Sequence, residues 1–393
     1  MPDTGQVVSN TGGRDGAEAP AGLEGVIVAH TQIGDVRGLE GFYHYRQYDA
    51  IELNRRRTLE DVWFLLFRGH LPDRAERAGF QREIAEHRVL PGDLVAFLRT
   101  LAATDPFDPM TALRTAISFQ AQRAGLRSWL DISADELYGN AMLVSAQTPT
   151  LLAALYRLRQ GHEPVAPDPD LPAAANFLYQ LSGERPDPQH AWALERYLIS
   201  TIDHGFNSST FTARVIASTG ADLGAAVVGA IGALSGPLHG GAPGRVLEML
   251  DDIGSPDRAE AWVRDKVGRG GRIMGFGHRV YKGKDPRSAL LREVAASLGG
   301  PTAEFAMAVE DTIVAVLAEA KPGRALNANV EFYAGVVMAG CGIPRDMFTP
   351  TFASSRVIGW CAHVLEQVSG NRLIRPAARY DGKPPPEPVP ATD

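Results

Sequence analysis

Between residues 58 and 338 apolar side chains recur every three or four positions in segment after segment, and glycine or proline closes most of them. A helix repeats every 3.6 residues and a strand every two, so this spacing predicts a mainly α-helical chain without regular strand–helix alternation. The helical stretches fall at 59–68, 74–98, 110–130, 140–161, 191–202, 258–267, 288–298, 303–320 and 330–338. Pro91, Pro106 and Pro109 stand where segments break. Thr58 is placed to cap the first helix, with Asp61 at the reciprocal position of a capping box. Gly69 and Pro72 supply its exit. The stretch 222–234 keeps helical periodicity despite three glycines and four alanines. Such small side chains make sense where a helix is buried against close neighbours, within one protomer or across a dimer interface.

The first folded residues read differently. Residues 23–33 suit a short strand or an extended lead-in, and Tyr43, Tyr45 and Tyr48 next to Arg46 and Asp49 read as packing or as ligand contacts. At 393 residues the chain is long enough for two unequal cores. Its 39 basic and 46 acidic side chains leave a charge of −7, which gives no general attraction to nucleic acid or to an anionic membrane. Cys341 and Cys361 are too few for a disulfide framework, residues 1–20 lack the apolar centre of a secretion signal, and 223–234 is too short to span a bilayer. A soluble cytoplasmic protein is expected. A disordered arm is expected over 1–20, and an extended or disordered tail over 381–393, which holds five prolines.

Two glycine-rich loops carry histidine: Ser235-Gly236-Pro237-Leu238-His239-Gly240-Gly241 and Gly275-Phe276-Gly277-His278-Arg279-Val280-Tyr281-Lys282, the second followed by Asp285-Pro286-Arg287. Glycine permits tight turns and close ligand approach. Glu331, in Asn329-Val330-Glu331-Phe332-Tyr333, adds a carboxylate at a loop–helix junction. Proton abstraction beside a carbonyl, with the imidazoles stabilising the oxygens, uses all three groups. Taken one at a time, His239 and His278 read equally as turn residues and Glu331 as a solvated acid. His204 lies in Asp203-His204-Gly205-Phe206-Asn207-Ser208, where a helix would expose it one turn before Ser208. Arg287, Arg356 and Arg375 offer charge-assisted forks for carboxylates, although a lone arginine is usually a surface residue.

These motifs, in this order, resemble the citrate synthase family. The similarity also covers 22–72, including Tyr45-Arg46-Gln47-Tyr48-Asp49, as well as 203–214 and 356–376. The resemblance implies a mainly α, two-domain helical fold, with a large domain at 21–247 and 350–380 and a smaller mobile domain at 248–349. It implies a homodimer with a shared active site, and oxaloacetate and acetyl coenzyme A as substrates, with no further cofactor and no metal. By the same comparison His204, Arg287 and Arg356 bind the keto-dicarboxylate, and Arg375 completes the site from the other protomer. Glu331 removes the thioester's methyl proton, His239 holds the thioester oxygen and His278 assists at the acceptor carbonyl. Gly275, Gly277 and Lys282 face coenzyme A. Two positions depart from the family pattern: Glu331 stands where Asp is usual, and Gln47 where glycine is usual. A 2-methylcitrate synthase using propionyl coenzyme A fits the same motifs, because one methylene alters pocket packing only modestly. A metal-dependent hydrolase lacks a short metal-binding motif joining the histidines. A noncatalytic helical interaction protein is the remaining alternative.

Overall fold

A computed structural model describes residues 18–391, apart from Gly241, Arg279, Lys282, Arg324 and Ala325 and the side chains of Ala242 and Pro243. After one 3₁₀ turn at Ala21–Leu23, the segment up to Ile33 runs without sheet pairing, so it is a lead-in and not a strand. A small antiparallel sheet follows, of β1 (Gly34–Arg37), β2 (Phe42–Tyr45) and β3 (Tyr48–Asp49), in register Gly34 to Tyr45 and Tyr45 to Tyr48. Strands this short give no readable alternation, so the period did not reveal them. The β2–β3 turn takes its left-handed residue at Arg46 (φ 50°) and not at Gln47, so Gln47 is accommodated without positive φ. Tyr43 and Tyr45 are buried, and the Tyr45 hydroxyl donates to the Ile199 carbonyl at 2.8 Å, which makes both packing residues.

Helices form the rest of the regular structure. The first are α1 (Ala50–Arg56), α2 (Leu59–Arg68), α3 (Arg74–His87), α4 (Gly92–Ala102), α5 (Pro109–Ala124) and α6 (Ala134–Arg159). Next come α7 (Ala173–Ser182), α8 (Pro188–Thr201), α9 (Ser208–Ser218) and α10 (Leu223–Leu234). The chain then continues through α11 (Ala242–Ile253), α12 (Ala259–Gly268), α13 (Pro286–Leu298), α14 (Pro301–Ala320), α15 (Val330–Gly340) and α16 (Phe348–Ser369).

The Thr58 hydroxyl caps α2 by accepting from the Asp61 N–H at 3.2 Å. The reciprocal half of the expected box does not form, because Arg77 takes both Asp61 carboxylate oxygens, at 2.6 and 2.8 Å. The expected helix at 110–130 ends at Ala124, where Gly125 turns left-handed, and a separate 3₁₀ turn follows at Trp129–Asp131. Helix α16 escaped the periodicity because it is buried on nearly every side, with Arg356, Trp360 and His363 all under 3% exposed, and so has no polar stripe to read. It packs against α6 and α9 and buries Arg356. The small residues of α10 do bring backbones together: a Cβ on Gly229 would lie 2.2 Å from the Ile216 side chain of α9. One continuous apolar cluster joins these helices with α11 to α15.

Candidate active site

A cleft of about 820 Å³ opens between the loop after α8, the loop after α10, the loop before α13, and the starts of α15 and α16. His204, His239, His278, Arg287, Glu331 and Arg356 all line it. Six of the residues singled out from sequence thus meet in one place, although they span 153 positions of chain.

His204 is not on a helix turn with Ser208, as the sequence suggested. Helix α8 ends at Thr201, and Asn207 caps α9 by accepting from the Thr210 N–H, which leaves His204 on the loop between them. Its Nε2 is 3.1 Å from the Tyr281 hydroxyl, and its ring meets His278 edge to face at 5.8 Å between centroids. Burial, and then the positive charges of Arg287 and Arg356, hold its pKa well below the ordinary imidazole value, so His204 is neutral.

His239 follows a tight turn closed by its own N–H on the Gly236 carbonyl. Its Nε2 lies 2.8 Å from the Ser209 hydroxyl. That hydroxyl receives the Trp360 indole N–H and has one proton to share between His239 and the Asn207 side-chain oxygen, 2.8 Å away. When the proton points to His239, the imidazole presents Nδ1–H as a donor. Burial, with Arg356 second, brings the His239 pKa down to about 4, so this donor is uncharged.

His278 is oriented by the backbone: its Nδ1 accepts the N–H groups of Val280 and Tyr281, both at 3.0 Å. Two donors on Nδ1 require its lone pair, which places the proton on Nε2. Arg287 Nη2, 3.3 Å from Nε2, is therefore a neighbouring donor and not a hydrogen-bond partner of that atom.

Glu331 sits in the first turn of α15, where its N–H is capped by Asn329 at 3.0 Å. Burial raises its pKa to about 7, with Arg287 pulling it down and Asp285 pushing it up. A carboxyl poised near neutrality is suited to taking and returning a proton.

Arg287 and Arg356 are 3% and 2% exposed, the opposite of the usual surface arginine. Arg287 grips Asp285 through Nε at 3.0 Å and Nη2 at 2.8 Å, and Asp285 also accepts the Val330 N–H at 3.0 Å, tying this arginine to the helix that carries Glu331. Burial opposes the Arg287 charge, but Asp285 outweighs it and the pKa is raised. Arg356 donates Nε to the Thr201 carbonyl at 2.7 Å and lies over the Phe352 ring. Among the described residues no carboxylate is in ion-pair contact with it, and burial lowers its pKa, with Asp203 opposing. An anionic ligand between these guanidiniums would supply the missing negative charge.

The other expected residues fall differently. Gly277 lines the cleft, but Gly275 is buried behind it, its carbonyl taking the Asn329 N–H at 2.8 Å. At Gly275 (φ 78°) a Cβ would meet Phe332 at 2.9 Å, so this glycine lets the loop lie against α15. Lys282 lies outside the described residues. Arg375 is exposed beyond the end of α16 and does not line its own chain's cleft. Sequence reasoning missed Ser209, Tyr281 and Asp285 as supports and Arg272 as a cleft residue. Each stands within, or a few residues from, a motif already singled out, but only the fold pairs Ser209, Tyr281 and Asp285 with a histidine or arginine and brings Arg272 to the cleft. Among the described residues no group of three or more His, Cys, Asp or Glu side chains is arranged to hold a metal ion, and no helix is long and apolar enough to cross a membrane.

Uncharged imidazoles at His204 and His239, a carboxyl near neutrality and two buried guanidiniums on one cleft are groups suited to acid–base chemistry on an anionic ligand. The family model described as citrate synthase, C-terminal domain, matches residues 22–377. The citrate synthase of Haloferax volcanii is 42% identical over 93% of this chain and 96% of its own, and citrate synthase 2 of Bacillus subtilis is 39% identical over 93% and 96%. Among solved structures, citrate synthase from Thermotoga maritima superposes with a TM-score of 0.82 at 37% identity, covering 94% of this chain and 97% of that one. Citrate synthase from Thermoplasma acidophilum, in ternary complex with carboxymethyl coenzyme A and oxaloacetate, superposes with a TM-score of 0.86 at 28% identity, covering 95% and 98%. The chain belongs to the citrate synthase family, with its mainly helical, two-domain architecture.

Proposed function

We propose that this protein condenses acetyl coenzyme A with oxaloacetate and hydrolyses the resulting thioester to citrate and coenzyme A. The observation that carries this reading is the meeting of His239, His278 and Glu331 with the buried Arg287 and Arg356 on one cleft. The Thermoplasma relative's complex with carboxymethyl coenzyme A and oxaloacetate supports the substrate pair.

Oxaloacetate binds through its carboxylates to Arg287 and Arg356, with His204 alongside. Ionised Glu331 takes a proton from the thioester methyl carbon, while His239 donates Nδ1–H to the thioester oxygen as charge develops there. A neutral donor serves because it leaves the substrate arginines unopposed by a further cation. The nucleophilic carbon then attacks the oxaloacetate carbonyl. Its oxygen is held by the Nε2–H of His278 and becomes the product hydroxyl. Water adds to the thioester carbonyl, the C–S bond breaks and the sulfur leaves as coenzyme A thiol. Gly277 and the exposed Arg272 line the cleft and are assigned to the nucleotide end of the thioester, where backbone N–H groups and cations suit phosphate; Lys282 is assigned there by the resemblance of its sequence motif alone.

The proposed assembly is a cytoplasmic homodimer in which Arg375 reaches the partner's cleft, a reading supported by its exposure away from its own. Residues 248–349 act as the small domain, closing over the reactants and excluding water during carbon–carbon bond formation. A thiol-release assay comparing acetyl and propionyl coenzyme A, with oxaloacetate omitted as control, tests the reading. Faster oxaloacetate-dependent release from the acetyl thioester supports it. Preference for the propionyl thioester makes the enzyme a 2-methylcitrate synthase, and no release from either overturns the reaction class.

A further inference from the structure

Behind the cleft wall lies a buried polar chain that touches no cleft space and is not used by the mechanism above. Asp203, immediately before His204, is 1% exposed, and its Oδ1 lies 3.2 Å from His363 Nε2. His363 is itself fully buried on α16, and its Nδ1 lies 3.1 Å from Arg214 Nη1 on α9. The same Nη1 reaches the Glu366 carboxylate at 2.5 Å, and Arg214 Nε donates to the Gln367 side chain at 2.9 Å.

Arginine can only donate, so His363 Nδ1 is an acceptor and the His363 proton is on Nε2, directed at Asp203. His363 is thus a neutral bridge between two buried opposite charges, and its tautomer is set from behind by Arg214. Asp203 Oδ2 accepts the Gly205 N–H at 3.3 Å and the Asp203 carbonyl takes the Tyr45 hydroxyl at 3.2 Å, so both sides of His204 are anchored through this one residue. Burial opposes the Asp203 charge, yet the N–H that His363 donates to it and the Arg356 guanidinium hold its carboxyl below the ordinary value. Two residues beyond Gly205, Asn207 orders Ser209 and, through it, His239.

We infer that Asp203, His363 and Arg214 form a positioning relay that fixes the 203–207 loop, and with it His204, in the geometry that receives the keto-dicarboxylate. The inference rests on the functional reading above and adds residues that never meet the substrate. Because the relay acts on the dicarboxylate side, its loss is felt in oxaloacetate binding before thioester binding.

Two His363 variants separate this role from general support of the core. His363→Phe keeps the ring that meets Phe206 edge to face and removes both nitrogens, whereas His363→Gln restores an N–H near the position of Nε2. For His363→Phe we expect oxaloacetate affinity, measured by calorimetry and as KM, to fall roughly tenfold or more, since a buried hydrogen bond to a charged group is lost. The thioester KM should stay within about twofold, and His363→Gln should regain most of the lost affinity. Unchanged oxaloacetate affinity in His363→Phe, equal losses for both substrates, or no rescue by glutamine would each overturn the relay. Nitrogen-15 spectra of histidine-labelled, ligand-free wild-type protein give a readout that needs neither variant nor turnover: His363 must appear as the neutral Nε2–H tautomer, and an Nδ1–H or doubly protonated ring refutes the inference. Should the wild type bind no oxaloacetate, the functional reading fails, while the tautomer still decides whether the relay exists.

Discussion

Replacing Glu331 by Gln separates the cost of the candidate base from its use. Burial raises the Glu331 pKa from 4.5 to about 7, a displacement worth about 3 kcal/mol between the two protonation states. In the unfolded chain this carboxyl ionises above its ordinary value, but in the fold it stays protonated until about 7. The stability it contributes is therefore fully present below 4.5 and is lost as pH rises through about 7. Glutamine has nearly the same size and no charge to bury. The variant should match wild type near pH 4.5 and exceed it by up to about 3 kcal/mol above neutrality, while losing turnover. Urea unfolding of both proteins across this range measures the difference. The wild-type kcat/KM should rise with pH through about 7, because the ionised form is the base. Parallel stability curves, or a rate profile flat across neutrality, would refute the burial argument and the base assignment together.

Four other outcomes are expected. His239→Gln should leave the assembly intact and lower kcat on the order of a hundredfold or more, because it removes a positioned imidazole with little volume change; near-normal initial rates would remove His239 from the chemistry. Glu331→Asp, which shortens the side chain by one methylene, should retain measurable turnover, whereas activity as low as that of Glu331→Gln would show that the backbone is set for the longer acid. Arg375→Ala should weaken oxaloacetate binding, and mixing it with His239→Gln should restore activity, since a mixed dimer carries one undamaged cleft if Arg375 acts across the interface; no recovery would place Arg375 elsewhere. Thr58→Ala should cost about 1 kcal/mol of stability through loss of the α2 cap and leave kinetics unchanged, checked by chemical unfolding beside the turnover assay.

The helix that begins at Leu59 was legible because its cap, its apolar stripe and its glycine exit are all local, and it spans the expected Leu59–Arg68. Helix α16 was not legible, since a helix surrounded by protein has no polar face to mark its period. The capping box shows the same division at the scale of one side chain: sequence places Asp61 correctly, but Arg77, sixteen residues on, claims its carboxylate.

The linear order of residues determined which chemical groups this protein owns, where most helices run and which family its motifs resemble, because propensity, periodicity and motif spacing are local properties. Folding decided that Arg287 and Arg356 are buried cations instead of surface ones, that His239 and His278 face one cleft with His239 kept uncharged by burial, and that Glu331 titrates near neutrality. Those properties come from desolvation and from charges brought within a few ångströms by distant parts of the chain, and such proximity exists only once the helices have packed.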